Sequence, residues 1–190
     1  MDGPLAGVKV LEVANWLAAP AGCALLADFG ADVVKVEHPD GDPYRGYRPQ
    51  TAGYQTTVNF AFEMDNRGKK GITLNLDHPH ARDVIYRLIA SADVFVTNLL
   101  PRRRERYGLS YEELTGRRPD LIYLSVTGYG SAGPDRDRPG YDYAAFWARS
   151  GIMNLIGEPD QPQPPQRPGM GDQATALLVA GSVAMAILHR

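Results

Sequence analysis

The sequence predicts an α/β protein, a mostly parallel sheet with helices on both faces. Three observations carry that reading. Short β-branched apolar runs recur along the first 130 residues, segments of helical spacing separate several of them, and Gly, Pro and Ser mark the junctions. "GVKVLEV" (Gly7–Val13) reads as the first strand. "APAGCALLADFG" reads as a helix, with Pro20 early and Gly30 just past its end. Ala31–Glu37 and Gly71–Leu76 read as the second and third strands. "HPHARDVIYRLIASA" reads as a helix with Pro79 in its first turn, followed by the strand "DVFVTN". Ser110 and Glu113 form a capping-box pattern for a short helix ending near Gly116, and Asp120–Gly128 is one more buried-type strand. Ligands of such sheets sit beyond the carboxyl ends of the strands, so a site is expected in the loops after Val13, Glu37, Asn98 and Thr127.

Composition narrows the function classes. The length, 190 residues, suits one domain, and 44% hydrophobic with 22% charged residues is the balance of a soluble globular protein. Lys plus Arg is 20 against 22 for Asp plus Glu, so no basic excess points to nucleic acid. A single cysteine, Cys23, excludes an internal disulfide and suits a reducing cytoplasm, where the protein is expected. "MDGPLAGVKV" lacks a basic segment leading into an apolar one, so no signal peptide is expected. The longest apolar stretch, Ala174 to Leu188, contains Thr175, Gly181 and Ser182, and is shorter than the ~18 to 20 residues that span a bilayer. No membrane contact is expected.

Several motifs fail on their context. A strand, turn, helix and second strand ending in Glu37 outline a dinucleotide-binding unit, but the turn "ANWLAAPAG" holds bulky Trp16 and Leu17 where the fingerprint needs glycines. A literal G-x-G-x-x-G, "GYGSAG" (Gly128–Gly133), runs into Pro134 and "DRDRPG" rather than a helix. NAD is not expected. The P-x-x-P at Pro162 and Pro165 is read as part of an ordered loop, and no G-x-S-x-G elbow occurs. His38, His78, His80 and His189 lack metal-ligand spacing, so no metal is expected. Cys23, inside an apolar helix, reads as a core residue.

Two features retain chemical interest. "PRRRERYG" (Pro101–Gly108) sets four arginines after a strand end, either as a solvated polar turn or as an anion site for phosphates; "DNRGKKG" (Asp65–Gly71) and Arg45 are further basic candidates. Basic loops along one sheet edge would suit a nucleotide-tailed coenzyme. The other is "GMGDQATALL", where Asp172 reads either as the N-cap of the last helix or as a reagent. Gly169 and Gly171 leave no side chain beside it, the helix N-terminus offers donors that favour an ionised carboxylate, and a long loop precedes it as a possible cover. Such a carboxylate can attack an activated acyl group.

From Gly7 to its last residue the chain resembles the N-terminal part of the family III CoA transferases, a superfamily that includes the α-methylacyl-CoA racemases. Collinear blocks carry the resemblance: "VLEVANWLAAPAGCALLADFGADVVKVEHPDGDPYRG", "DNRGKKGITLNL", "ADVFVTNLLPRRRERYGL", "YLSVTGYGSAGP", "PGYDYAAFWARSG" and "GMGDQATA". The resemblance implies a Rossmann-like large domain and makes Asp172 the nucleophile. It would attack an acyl-CoA thioester to give an aspartyl–acyl anhydride, then an aspartyl-CoA thioester that an incoming carboxylate resolves. It implies CoA contacts at Asn15, Trp16, Leu17 and Ala18, at Lys69 and Lys70, at Asn98, Leu99 and Arg106, and at Tyr129. Tyr141, Gly169 and Gly171 fall in its substrate loops, and Thr127 stands where some transferases carry Lys. "DYAAFWARSG" resembles members acting on 2-hydroxy, aryl or branched acids.

Two alternatives stay open. A racemase would carry a His base in a G-H-D segment, where this sequence has Gly140-Tyr141-Asp142; tyrosine, with an unperturbed pKa near ~10, is a poor base at neutral pH, so transfer is favoured. The other is an inactive CoA-binding fragment. Family members continue through a smaller domain and form interlocked homodimers, which implies that residues 1–190 are the N-terminal part of the large CoA-binding domain, lacking its C-terminal remainder and the small domain. The apolar segment Ala174–Leu188 would then be covered by the rest of the subunit or by a partner.

Overall fold

The structure is a computed structural model and describes residues 3–47, 57–164 and 166–190; the second proline of the P-x-x-P, Pro165, lies outside the described residues. Five strands, β1 (Lys9–Val13), β2 (Asp32–Glu37), β3 (Lys70–Thr73), β4 (Val94–Thr97) and β5 (Ile122–Ser125), form a sheet in the order β3-β2-β1-β4-β5. Every pairing is parallel. The order reverses direction between β1 and β4, and the crevice at their carboxyl ends is where such sheets bind ligands. All four residues of β4 are buried, as expected of a central strand covered on both faces.

The helices are α1 (Ala18–Asp28), α2 (Phe60–Asn66), α3 (Ala81–Ile89), α4 (Pro101–Tyr107), α5 (Tyr111–Arg117), α6 (Ile152–Leu155) and α7 (Met170–His189). A 3-10 turn spans Pro43–Gly46 and a π-helix spans Tyr143–Arg149. On one face of the sheet α1 and α7 bury Ala19, Cys23, Leu26, Val179, Ala180 and Val183 against Val10, Val33, Val94 and Val96. A Cβ at Gly22 would stand 2.5 Å from Val179 Cγ1, so glycine lets these two helices approach. The opposite face carries α3, α4 and α5, with Ile85, Ile89, Tyr107, Leu109 and Leu114 packed on Leu11, Val13, Val36 and Phe95. The predicted class and every predicted strand are present.

Four local expectations are corrected. The run "PRRRERYG" is not a turn but α4, opened by Pro101 and closed by Gly108 at φ +70°. Pro79 precedes α3 instead of lying in its first turn, because the helix begins only at Ala81. Ser110 accepts from the Glu113 N–H as a cap, but the Glu113 carboxylate turns to the Tyr86 hydroxyl and Arg117, so only half of the capping box forms. The last helix starts at Met170, not near Ala174, and its 20 residues are long and apolar enough to cross a membrane. One side of it packs on α1, as a core helix does, while Leu177, Leu178, Met185 and Leu188 are exposed.

A charged cluster lies inside the sheet. Glu12 and Lys35 are register partners on β1 and β2. The Lys35 ammonium reaches Glu12 Oε1 at 2.9 Å, the Ala14 carbonyl at 3.0 Å and Asp42 Oδ2 at 3.0 Å. Lys69 closes the cluster, with its ammonium 2.8 Å from Glu12 Oε2. Two cations meet two anions, so no net charge is buried. Burial pushes the Glu12 carboxyl up, but Lys35 and Lys69 outweigh it and hold Glu12 below the ordinary carboxylate value. Lys35 is likewise held above its ordinary value, against burial, by Glu12 and Asp42.

Lys35→Met removes one cation and leaves Glu12 and Asp42 facing Lys69 alone, which should destabilise the fold by about 3–5 kcal/mol in urea denaturation at neutral pH. Since the folded Glu12 pKa is depressed, its contribution is complete above the ordinary carboxylate value of 4.5 and is lost as the pH falls through the depressed value. The penalty should therefore shrink in acid. An unchanged urea midpoint at pH 7 would show that the cluster does not hold the fold.

Candidate active site

The crevice is shaped by the loop that leaves β1. The Asn15 N–H donates to Asn98 Oδ1 at 3.0 Å, and Asn98 Nδ2 donates back to the Asn15 carbonyl at 2.6 Å. That reciprocal pair ties the loops after β1 and β4 together across the switch point. Trp16 then adopts φ +64°, a left-handed conformation that costs a non-glycine residue on the order of 1–3 kcal/mol. Asp42 holds it there, its Oδ1 accepting the Trp16 N–H at 3.0 Å and the Tyr44 N–H at 3.0 Å. The indole is thereby presented at the surface, tilted against Tyr44 and edge-on to Tyr141 at a centroid distance of 5.7 Å.

The N-terminus of α7 rests on this loop; a Cβ at Gly169 would come within 3.0 Å of Leu17 Cδ1. Gly169 is the N-cap, at φ +77°, and Asp172 stands inside the first turn. The capping interaction comes from Asp142, whose Oδ2 accepts the Gly169 N–H at 2.9 Å and whose Oδ1 accepts the Gly171 N–H at 2.8 Å. Trp147 Nε1 donates to the same carboxylate at 3.3 Å. The reading of Asp172 as N-cap is therefore corrected: Asp142, reached through the chain's fold rather than its local sequence, does that work. The role given to Gly171 changes too. A Cβ there would meet Phe146 Cγ at 2.1 Å and Asp142 Oδ1 at 2.3 Å, so Gly171 admits the π-helix rather than leaving space for a ligand. The donors of the helix end expected to favour an ionised Asp172 are in part taken, by Asp142.

Asp172 itself accepts no hydrogen bond from any described residue. Burial, then the nearby carboxylates of Asp142 and Asp65, push it up to about 6. Asp65 is buried in α2, accepts from Gln173 Nε2 at 2.9 Å, and is itself raised by burial. Tyr44 completes the corner, its hydroxyl pushed up by burial and by Asp65. The result is a half-buried, unbonded carboxylate, more basic than an ordinary one, beside an aromatic wall. Such a group is a better nucleophile than a solvated aspartate and is still mostly ionised at neutral pH.

The fold brings Asn15, Trp16, Leu17, Ala18, Asn98, Tyr141, Gly169 and Asp172 to this crevice and its rim, with Gly171 packed against the π-helix behind it. Other candidates go elsewhere. Lys69 is turned inward, its ammonium surrounded by Glu12 Oε2, the Pro20 and Asp65 carbonyls and Asn66 Oδ1, so it cannot also meet a phosphate. Lys70 sits on the edge strand β3 and pairs with Asp32 at 2.7 Å, near the amino end of β2. Leu99 is buried in the second core. Arg106 is exposed on α4 and pairs with Asp77. Tyr129 lies against Gly140 and between the guanidinium groups of Arg138 and Arg149. Glu37, at the end of the outlined dinucleotide-binding unit, accepts from the Asp42 N–H and pairs with Arg45, so it shapes the loop that holds Asp42. Cys23 is a core residue, its thiol raised well above the usual value by burial. Asp142, Asp65, Tyr44 and Asp42 were missed. Only Asp142 had a usable signal, an acid beside Tyr141 in a segment already singled out.

Comparison with known proteins covers nearly the whole chain. The CoA-transferase family III profile matches residues 5–190. The chain is 42% identical over 197 residues to the succinyl-CoA–L-malate CoA-transferase beta subunit of Chloroflexus aurantiacus, covering 100% of this chain and 48% of that protein. It is 38% identical over 182 residues to the cinnamoyl-CoA:phenyllactate CoA-transferase of Clostridium sporogenes, covering 95% of this chain and 44% of that protein. A crystal structure of a CAIB/BAIF family protein from Brucella suis superposes with a TM-score of 0.88 at 38% identity, over 100% of this chain and 50% of that one. The chain thus spans about half the length of the relatives it matches, and it belongs to CoA-transferase family III.

Proposed function

We propose that this chain supplies the nucleophile and part of the coenzyme-binding surface of an enzyme that moves CoA from an acyl-CoA thioester to a free carboxylic acid. The observation that supports it best is Asp172: half-buried, unbonded among the described residues, raised to about 6, and set at a helix end beside the β1 loop. A carboxylate oxygen of Asp172 attacks the thioester carbonyl carbon, the C–S bond breaks, and CoA leaves as thiolate. The thiolate then attacks the Asp172 carbonyl of the anhydride and releases the first acid, leaving an aspartyl-CoA thioester. The incoming carboxylate displaces CoA from that thioester, and the returning thiolate takes the new acyl group and frees Asp172. Each step exchanges one acyl bond for another, so no net hydrolysis occurs if water stays out.

In this reading Asn15, Trp16, Leu17 and Ala18 line the coenzyme's path, with Asn98 and Tyr129 beside it. Arg106 keeps a solvent-facing guanidinium that can exchange Asp77 for a phosphate, whereas Lys69 is held inside. The Trp16–Tyr141 wall suits an acid with a planar or branched apolar part. Tyr141 offers no imidazole for moving an α-proton, which favours transfer over racemisation. The exposed apolar residues of α7 suit cover by further polypeptide or by a second copy in a homodimer.

Incubation with acyl-CoA and hydroxylamine should convert Asp172 to a hydroxamate, seen by mass on its peptide, and Asp172→Asn should give neither the adduct nor transfer. Finding the adduct on another carboxylate would overturn the assignment. The adduct's rate of formation should fall as the pH drops through about 6.

The same shift has a stability consequence. The folded Asp172 pKa lies above the ordinary aspartate value of 3.8, so its stabilising contribution is complete below that value and is lost as the pH rises through about 6. Asp172→Asn should thus stabilise the protein by on the order of 1–3 kcal/mol at pH 8 and by nothing measurable near pH 4. Equal stability of both proteins at pH 8 would mean the carboxylate is not perturbed.

Asp142→Asn keeps one amide acceptor and removes the charge next to Asp172. It should lower the pH at which hydroxamate formation is half-maximal while costing about 0.5–2 kcal/mol of stability through the weakened cap. An unmoved pH midpoint would show that Asp142 acts on α7 alone and not on Asp172.

A further inference from the structure

Arg104 is the one arginine of α4 that faces inward, on the same side as Pro101 and Tyr107, and it is only 7% exposed. Its Nη1 donates to the Tyr123 hydroxyl at 3.2 Å, and that hydroxyl gives its own proton to the Leu109 carbonyl at 2.7 Å. Among the described residues this is its single side-chain hydrogen bond. Among the described residues its Nε is buried without a partner, and none of their carboxylates lies within ion-pair distance. A guanidinium cannot shed its proton as a buried lysine can, so a buried arginine of this kind calls for an anion.

Arg104 lines a cavity of about 360 Å³ bounded by α4, α5, the end of β5 and the loop beyond it. Ser110, Ser125 and Ser131 contribute hydroxyls, and Arg136 stands half-exposed at its margin. Ser110 Oγ already accepts the Glu113 N–H, which leaves its proton to donate. Two acids border the same space: Glu105 faces Arg136 at 3.4 Å, and Glu112 lies near the Tyr123 hydroxyl. Neither contacts Arg104. The cavity lies at the β5 edge of the sheet, beside α4 and α5, and none of its lining residues belongs to the Asp172 crevice, although Ser125 and Ser131 also border a hollow shared with α7.

We propose that this cavity is a binding site for a small-molecule oxyanion, a phosphate or carboxylate group met by Arg104 and Arg136 and by the serine hydroxyls. Its volume admits more than a bare ion, so the oxyanion is one end of a small metabolite or of the coenzyme. The inference goes beyond the transferase reading and does not rest on it.

Calorimetric titration with inorganic phosphate at fixed ionic strength tests it on the parent, Arg104→Met and Arg136→Ala. The parent should bind one phosphate per chain. Arg104→Met should bind at least tenfold more weakly, the scale of a lost charged hydrogen bond, and Arg136→Ala severalfold more weakly. If Arg104→Met fails to fold, the half-exposed Arg136→Ala still decides. Repeating the titration with CoA and with 3′-dephospho-CoA identifies the source: competition assigns the oxyanion to the coenzyme, and its absence assigns it to a separate metabolite. No phosphate binding by the parent, or equal affinity in the parent and the folded variants, overturns the site. Failure of the Asp172 reading would show instead in the hydroxylamine experiment and would leave this titration as it is.

Discussion

Asp42 makes three contacts that belong to three different parts of the chain, and the ligand end of the sheet depends on them. Its Oδ2 pairs with the Lys35 ammonium from β2, while its Oδ1 accepts the N–H groups of Trp16, after β1, and Tyr44, in the 3-10 turn. Lys35 is bound in turn to Glu12, and Glu12 to Lys69. Such a cluster contributes little net stability, because desolvating four charges offsets most of their attraction. What it contributes is position. Removing any one member leaves a buried charge unmatched, so the loop conformation and the strand register stand or fall together. Trp16 can remain at a positive φ only because its N–H has a fixed acceptor there.

At the N-terminus of α7 two aspartates divide the work that one might have done. Asp142 is nearly buried and gives both carboxylate oxygens to the amides of Gly169 and Gly171. Asp172, in the same turn, is left without a donor. If Asp172 capped the helix, those amide bonds would stabilise its charged form and make it a weaker nucleophile. Assigning the cap to a carboxylate from the start of the π-helix frees Asp172 and adds a like charge beside it. The residue that stabilises the helix end thus also adds to the basicity that burial gives the candidate nucleophile.

The parts of the fold legible in the sequence were those set by local pattern. Apolar β-branched runs marked every strand, and Pro20 and Gly30 sat where the ends of α1 require them, whereas Pro101 and Gly108, which bound α4, were not read as helix ends. What escaped was non-local. Glu12 and Lys35 lie within strands read only as apolar runs; that they face each other is a matter of register between strands, which periodicity does not encode. Lys69 read as a basic loop residue because spacing says nothing of the direction a side chain takes. Asp172 matched the local rule for an N-cap, and the rule failed because the true acceptor comes from another segment. The family resemblance named Asp172 and the β1 loop, which the fold brings to one corner, but it did not separate residues at that corner from those, like Lys69 and Leu99, that are turned into the interior.

Three carboxylates, Asp172, Asp142 and Asp65, share one corner of the molecule, and their mutual repulsion works against folding. Two of them are anchored: Asp142 by two amides and an indole, Asp65 by Gln173. Those anchors are directional and rigid, so the repulsion cannot relax by moving either group away. It is carried by Asp172, whose proton affinity rises instead. The packing of α7 on α1 through Ala176, Val179 and Val183 keeps the helix end in place against that repulsion. Apolar burial on one side of α7 therefore sustains an unfavourable charge arrangement at its tip. A candidate nucleophile at the start of a long apolar helix is then a consequence of stability, since a short or loosely packed helix could not hold it.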